Sequence, residues 1–414
     1  MWSCTYKTLL LEETNLEKRA QTETQGDITV TTTVLNKKES KKLFGINLAK
    51  EGIQPVWIKF DNQSDEGYFF FPISIDPDYY AATEVYYMNR YTLARWKNKH
   101  LEDHIEKSQM PFHIPAKSVV SGYVFTNLDQ GSKFVSVQLV SRGKEEKFNF
   151  LIPVDDLHVD FHKVDFDTLY TENQFQNFKD EESLRLALEK IKGRTSNKTD
   201  DKLGDPINFV LIGDPKDVFP PFIMRGWDET EYIYEGSIFL TVRAFLRGIK
   251  YRYSPISPLY YFGRRQDLAL QKARKTINER NHLRVWLSPY KYKGKNVWIG
   301  QISRDIGVRF TTKAWNLTTH KIDPNIDEAR AYLLQDLVAS QGVDKIGLIK
   351  GENFDQFTKK SPGHNTTGDP FYTDGYYLVF DFSRKPTSLE SVKFFPWARK
   401  YKDTGPKKIS DAKY

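Results

Sequence analysis

Apolar residues that recur at every second position, in short runs spread over both halves of the chain, constrain this sequence more than any other feature. From 282 to 287 the chain reads His-Leu-Arg-Val-Trp-Leu, so Leu283, Val285 and Leu287 share one side while His282, Arg284 and Trp286 share the other. A period of two belongs to the pleated strand, whose successive side chains point to opposite faces. Val56, Ile58 and Phe60 repeat it upstream, as do Val135, Val137 and Leu139, and Phe148, Phe150 and Ile152; the β-branched run 28–35 adds a further strand. Asp129-Gln130-Gly131 reads as a hairpin turn ahead of one of these runs. Short strands so closely spaced predict an antiparallel β-sandwich of the Ig-like kind over 26–170, preceded by a flexible segment 1–25. Residues 79–108 interrupt the pattern, since Val85, Met88 and Trp96 fit a helical spacing and predict one inserted helix over an end or edge of the sheets.

Further on, the pattern mixes periods, which predicts an α+β chain overall. A helix is expected over 180–192, with Asp180 as its cap, acids in its first turn and Leu184, Leu188 and Ile191 as its apolar stripe. Gly193 through Gly204 has the polar composition of an exposed connector, so 171–203 is read as helix plus connector. At 414 residues the chain exceeds what one core usually serves, and a boundary there leaves an α+β domain over 204–396 with a mostly antiparallel sheet and packed helices. That domain opens with a buried strand, Ile207 to Ile212, ended by Gly213; a helix follows, with Pro220 and Pro221 expected in its first turn. Ser237 should cap another helix, carrying Phe239, Val242, Phe245 and Leu246 and ended by Gly248. Antiparallel strands fill 258–312, a helix capped by Asp323 with Pro324 at its first position covers 324–340, and a strand at 376–382 closes the domain. A Lys-rich tail, 397–414, follows.

Some function classes are excluded early. The single cysteine, Cys4, rules out an intramolecular disulfide framework and any zinc site built from several thiolates. There is no Walker pattern, dinucleotide glycine fingerprint or nucleophile elbow, so no cofactor is expected. No stretch approaches the ~20 apolar residues of a membrane-spanning helix, and the chain as given is expected to be soluble. Met1-Trp2-Ser3-Cys4 lacks the basic and apolar regions of a secretory signal. A small residue followed by the sole cysteine is nevertheless what a bacterial lipoprotein processing site looks like once its signal is gone, which makes Cys4 a candidate for lipidation and membrane attachment; the plainer reading is an incidental cysteine in a frayed terminus.

Charge supplies the sharpest functional feature. Between Arg243 and Lys293 stand 13 Lys or Arg against two acids, Asp267 and Glu279, a net +11 in a chain whose total is +7. Tyr251, Tyr253, Tyr260, Tyr261, Trp286, Tyr290 and Tyr292 interleave with these cations, a mixture suited to phosphates, sugars or nucleic-acid bases. Arg264, Arg265, Arg280, His282, Arg284 and Trp286 are therefore the candidate ligand contacts, on the expectation that the cations gather on one outward face. The same residues also suit solvated strand faces balancing an acidic surface elsewhere. Arg280, His282 and Arg284 form either an anion cradle or a buried polar network pinned by Asp267 and Asp305; a hydrolytic site would use His282 as acid or base with Asp305 as its partner. His320, Asp323 and Asp327 invite a metal reading, although helix capping and the helix dipole account for the two acids. His158 with Asp160 and His162, and His100 with His104, are weaker metal candidates that serve as well on a polar outer face.

The motifs also carry a resemblance. Gly204-Asp205-Pro206-Ile207-Asn208-Phe209-Val210-Leu211-Ile212-Gly213, Ser257 through Leu268, Arg280 through Trp286, Trp298-Ile299-Gly300, Asp305-Ile306-Gly307 and His320 through Asp327 stand in an order that resembles the LssY C-terminal family over roughly 204–380. Gly52 through Trp57 and Asp76-Pro77-Asp78-Tyr79 are similar to the N-terminal domain of longer, lipoprotein-type relatives. The resemblance implies association with the bacterial cell envelope, periplasmic or lipid-anchored, and a link to type I secretion; it implies no catalytic residues. The expectation that follows is a binding or docking module for an anionic ligand or envelope partner. The alternative is a hydrolase acting on a phosphorylated or polysaccharide substrate.

Overall fold

The alternating runs become ladders of paired strands in the computed structural model, which describes residues 13–154, 166, 168–230, 256–273, 279–310, 318–351 and 357–397. Cys4, the trio His158, Asp160 and His162, the helix expected from Ser237 to Gly248 and residues 398–414 of the tail lie outside the described residues. The chain divides into two units, Met1–Leu157 and His158–Tyr414.

Among the described residues, eight strands build the first unit: β1 (Gln21–Gln25), β2 (Ile28–Val34), β3 (Ile53–Asn62), β4 (Tyr68–Phe70), β5 (His113–Ile114), β6 (Ser118–Asn127), β7 (Gly131–Ser141) and β8 (Lys144–Val154). They pair as two antiparallel sheets, β1-β2-β3-β6 and β5-β4-β7-β8. Val56, Ile58 and Phe60 from one sheet and Val135, Val137, Phe148 and Phe150 from the other meet in a single apolar cluster, so the period of two marks the faces that turn inward. Asp129 to Gly131 is not a hairpin turn. The chain crosses there from β6 in one sheet to β7 in the other, and Asp129 bonds Lys133 at 2.7 Å. The segment expected to be flexible holds α1 (Glu13–Glu17) as well as β1, anchored by buried Leu16 and by Lys59, which lies 2.6 Å from Glu17.

Around the second face of β3 and β6 lie α2 (Lys37–Phe44), α3 (Ala82–Asn89) and α4 (Asn98–Ser108). Asn36 and Glu39 close a reciprocal cap on α2, with Asn36 accepting from the Glu39 N–H at 2.9 Å. The single helix expected over 79–108 is two. The break at Arg90–Lys97 resets the helical phase, so Val85, Leu101 and Ile105 are buried against Phe44, Trp57 and Phe125, whereas Met88 and Trp96 are exposed.

In the second unit the main sheet runs β13 (Asp228–Glu229), β16 (Leu268–Ala273), β17 (Glu279–Tyr292), β18 (Lys295–Phe310), β12 (Phe209–Ile212), β23 (Tyr376–Phe382), β20 (Val343–Lys350) and β24 (Lys393–Phe394); β9 (Gln176–Phe178) pairs with β17 and β19 (Thr318–Ile322) with β18. Most pairs are antiparallel; β12 with β23, β9 with β17 and β20 with β24 are parallel. A small sheet, β11 (Leu203–Pro206), β10 (Arg194–Ser196), β14 (Tyr260–Tyr261) and β15 (Arg264–Arg265), stands apart, as does the ribbon β21 (Gly363–His364) with β22 (Pro370–Phe371). Helices cover both faces of the main sheet. On one side α6 (Pro215–Met224) and α7 (Ile326–Ala339) pack on Phe209, Leu211, Leu283, Val285, Trp298 and Phe380; on the other, α5 (Glu181–Glu189) packs on Val210, Ile212, Trp286, Ile299 and Val379. This is why β12 reads as an unbroken apolar run: both of its faces are interior.

The α+β class holds, with corrections in detail. Asp180 caps α5 as expected, accepting from the Ser183 N–H at 2.8 Å. The stretch 193–204 is not a bare connector but carries β10 and the start of β11 within the second unit. Pro220 and Pro221 lie inside α6, after a start at Pro215, and are held there because Val218 through Phe222 is buried as one block. α7 begins two residues late: Asn325 takes the cap position, while Asp323 accepts the Asn325 N–H at 3.0 Å. The strand expected at 376–382 forms as β23, between β12 and β20, but β24 follows it and is the last strand described in the domain.

Two of the family-like motifs meet at one close approach. Gly300 of β18 pairs with Phe209 of β12, and a Cβ on Gly300 would lie 2.0 Å from the Phe209 ring. Gly300→Ala should therefore destabilise the second unit by ~1–3 kcal/mol, lowering its Tm by roughly 2–4 °C for each kcal/mol, as measured by thermal denaturation of variant and wild type.

Candidate functional site

β17 carries the residues singled out by their alternation. With Leu283 and Val285 committed to the α6 and α7 side, the pleat turns Arg280, His282, Arg284 and Trp286 the other way, and pairing sets Arg280 opposite Asp305, His282 opposite Ser303 and Arg284 opposite Gln301. All three ionisable groups are buried, at 4–5% exposure. Asp305 serves two of them: Oδ2 accepts from Arg280 Nε at 3.1 Å, and Oδ1 lies 3.0 Å from His282 Nε2. Arg280 also donates to Gln271. Arg284 donates twice to the Ser257 carbonyl, at 3.1 and 2.8 Å, and to Gln301 Oε1 at 2.9 Å. Its Nη1 is 3.4 Å from His282 Nδ1, so a proton on Nε2 lets the imidazole donate to Asp305 and accept from Arg284 at once. Burial pushes the Arg284 guanidinium down to about 10, while Asp205, whose Oδ2 is 3.9 Å away, and Asp305 hold it up.

Of the two acids expected to pin this row, only Asp305 does so. Asp267 is taken by Arg264, whose Nε and Nη2 reach its two oxygens at 2.9 and 2.8 Å, and by the Leu287 N–H at 2.6 Å. Burial still pushes the Asp267 carboxyl above its usual range against the pull of Arg264. Trp286 lies in the core, its Nε1 donating to the Arg264 carbonyl at 3.3 Å, out of reach of a ligand on the surface. Arg265 is half-buried on β15 opposite Tyr260. Lys272 pairs with Asp336 at 3.0 Å and Lys291 lies 3.9 Å from Glu172. Among the described residues, then, the cations of the basic segment do not gather on one outward face: Arg264, Lys272, Arg280 and Lys291 each have a carboxylate beside them, and Arg284 is interior.

The metal candidates are likewise occupied. Asp327 accepts from Thr373 Oγ1 at 2.7 Å and from the Asp374 N–H at 2.8 Å, and burial raises its carboxyl. Asp323 turns back to its own loop, and the His320 side chain lies outside the described residues. His104 Nε2 is 3.1 Å from the Leu43 carbonyl, which engages one ring nitrogen, and burial lowers its pKa. Among the described residues no group of three or more ligating side chains is placed to hold a metal.

Two clefts border these elements. The smaller, about 80 Å³, lies over Arg280, His282, Arg284 and Asp305 and is edged by Asp205 and by the loop Asn365–Asp369, where Asn365 donates to Asp205 at 3.1 Å. The larger, about 390 Å³, is lined by Lys190, Lys192 and Lys198 and by the rings of Tyr260, Phe262 and Tyr290. All three lysines are exposed, and one carboxylate, Asp200, enters the lining, bonded to Lys192 at 2.9 Å. Phe262 and Gly263 make the two-residue turn between β14 and β15, with φ of +53° and +72°. A bulky side chain is costly in that left-handed position, where Asn or Gly is the relaxed choice, yet Phe262 holds it and stays 40% exposed at the cleft rim. The Tyr261 hydroxyl donates to the Lys192 carbonyl at 2.7 Å and ties the hairpin to the segment that follows α5. The lysines were missed by sequence reasoning because they fall in the end of a helix and a supposed connector. Their density between 190 and 198 was the available signal.

Residues 188–377 match a family model described as LssY C-terminus. The second unit carries an LssY C-terminal domain. Both clefts take most of their walls from it, and the close approach of Gly300 to Phe209 lies wholly inside it. No curated protein matches the chain.

Removing the Asp305 carboxylate would leave Arg280 and His282 buried without the acid they share. Asp305→Ala should cost ~3–5 kcal/mol and lower the Tm of the LssY C-terminal domain by roughly 10 °C, read by calorimetry, with Asp305→Asn intermediate.

Proposed function

We propose that the protein is a bacterial cell-envelope component whose LssY C-terminal domain is a binding module for an anionic ligand or partner. The observation that carries this reading is the grouping of Lys190, Lys192 and Lys198 with Tyr260, Phe262 and Tyr290 around one cleft. Its volume of about 390 Å³ suits a ligand of one or two sugar or phosphate groups. Lysines supply mobile point charges for carboxylate or phosphate, and the rings supply flat apolar faces for the carbon skeleton between them. In this reading the outward basic face first expected of the segment 243–293 gives way, within the described residues, to a patch from the stretches just after α5 and β10 and from the β14–β15 turn. In the same reading the N-terminal unit is an Ig-like β-sandwich serving as a docking body, and lipidation at Cys4 attaches the chain to the membrane. No helix among the described residues is long and apolar enough to cross a membrane.

Hydrolysis of a phosphorylated or polysaccharide substrate is the second reading, favoured by the 3.0 Å contact of His282 with Asp305 beside two guanidiniums. It requires His282 to exchange one of its present bonds for a substrate, since both ring nitrogens are engaged.

Isothermal titration of the full chain with oligogalacturonate and with polyphosphate separates the two. Lys190→Gln with Lys198→Gln should weaken binding by roughly tenfold, about 1.4 kcal/mol, and flatten its salt dependence, and Phe262→Ala should weaken it without changing that slope. Binding unaltered by both variants would remove the cleft from the reading. Turnover of either polymer that His282→Ala abolishes would favour the hydrolase.

A further inference from the structure

The end of α3 and its link to α4 in the first unit expose several large apolar side chains. Tyr87 is 65% exposed, Leu93 94% and Trp96 79%, with Met88 beside them at 41%. These are not frayed ends. Val85, Leu101 and Ile105 anchor the two helices in the core, Tyr86 and Tyr91 pack against it, and Asn98 grips Tyr91 through two bonds, accepting its N–H at 2.8 Å and donating to its carbonyl at 3.1 Å. The link is therefore held closed with Leu93 and Trp96 outward.

Charge selects what could cover it. From Val85 to Leu101 the chain contains Arg90, Arg95, Lys97 and Lys99 and no acid. Arg90 lies over the Tyr87 ring at 3.6 Å and Lys97 near the Tyr91 ring at 5.7 Å, so cations and rings alternate around the tip. A leucine so exposed stands on a convex point. Convex points are poor partners for a protein surface, which needs ~800 Å² per side, but they suit insertion among lipid headgroups, where Trp and Tyr settle at the interface, leucine reaches the acyl boundary and Lys and Arg meet phosphate.

We propose that the Arg90–Lys97 link, with the first turn of α4 that carries Lys99, is a membrane-docking tip for an anionic lipid surface. It is independent of the cleft in the LssY C-terminal domain and of any modification at Cys4.

The test is flotation of the full, unlipidated chain with vesicles of phosphatidylcholine alone or mixed with phosphatidylglycerol. Wild type should float only with the anionic vesicles and be released by salt. Leu93→Ser with Trp96→Ser should abolish flotation while leaving the circular-dichroism melt unchanged, and each of Arg90→Gln, Arg95→Gln, Lys97→Gln and Lys99→Gln should weaken it by roughly fivefold. Quenching by brominated lipid should be present in wild type and largely lost in Trp96→Phe. The proposal is overturned if wild type ignores anionic vesicles, or if the Leu93 and Trp96 variant still floats, which would place the contact elsewhere. It is equally overturned if that variant instead converts a dimer to a monomer, which would make a second copy the occupant.

Discussion

The pairing of β17 with β18 is the interaction on which the second unit depends. Its register sets Leu283 against Ile302 toward one helical layer and Arg280 against Asp305 toward the other face. A slip of one residue would turn every side chain over, burying two guanidiniums and an imidazole among Phe209, Phe222 and Leu333 and stripping Asp305 from them. Buried ion pairs contribute little net stability once desolvation is counted, so their effect here is to penalise every other register. The hairpin also has neighbours along its length: β16, β9, β12 and β19 all add to it.

That arrangement changes what the basic segment can mean. Arginine suits interior pairing because its planar fork satisfies several acceptors together, and Arg264, Arg280 and Arg284 each bond two or more groups apart from water. Cations beside aromatic rings come instead from other stretches: Lys190, Lys198 and Lys192, the last paired with Asp200, beside the β14–β15 turn in one unit, and Lys97 and Lys99 with Arg90 and Arg95 in the other. Each group stands next to aromatic rings. Both units thus place exposed cations beside aromatic rings, in one around a cleft of about 390 Å³ and in the other on the turn between two helices.

Much of the fold was legible because it is written in short-range periodicity. The stripe Leu184, Leu188 and Ile191 named its helix, the alternation at 282–287 named its strand and both of its faces, and the buried run before Gly213 named β12. Errors arose where distant contacts override local signals. Met88 and Trp96 fit a helical stripe with Val85, but Asn98 bonding Tyr91 closes a link between two helices and sends them outward. Asp129-Gln130-Gly131 has hairpin chemistry, yet β6 and β7 belong to different sheets. Asp323 and Pro324 look like a helix start, but α7 waits for Asn325.

By itself the sequence determined the longer regular elements, the inward face of the strands that alternate and the family of the second unit, since these follow from side-chain period and from motifs in fixed order. Which charges remain for a partner was decided by tertiary structure alone. An arginine reads the same in a chain whether an aspartate twenty-five residues later lies opposite it or not, and only strand pairing across the sheet removed Arg280 from solvent and left the lysines outside.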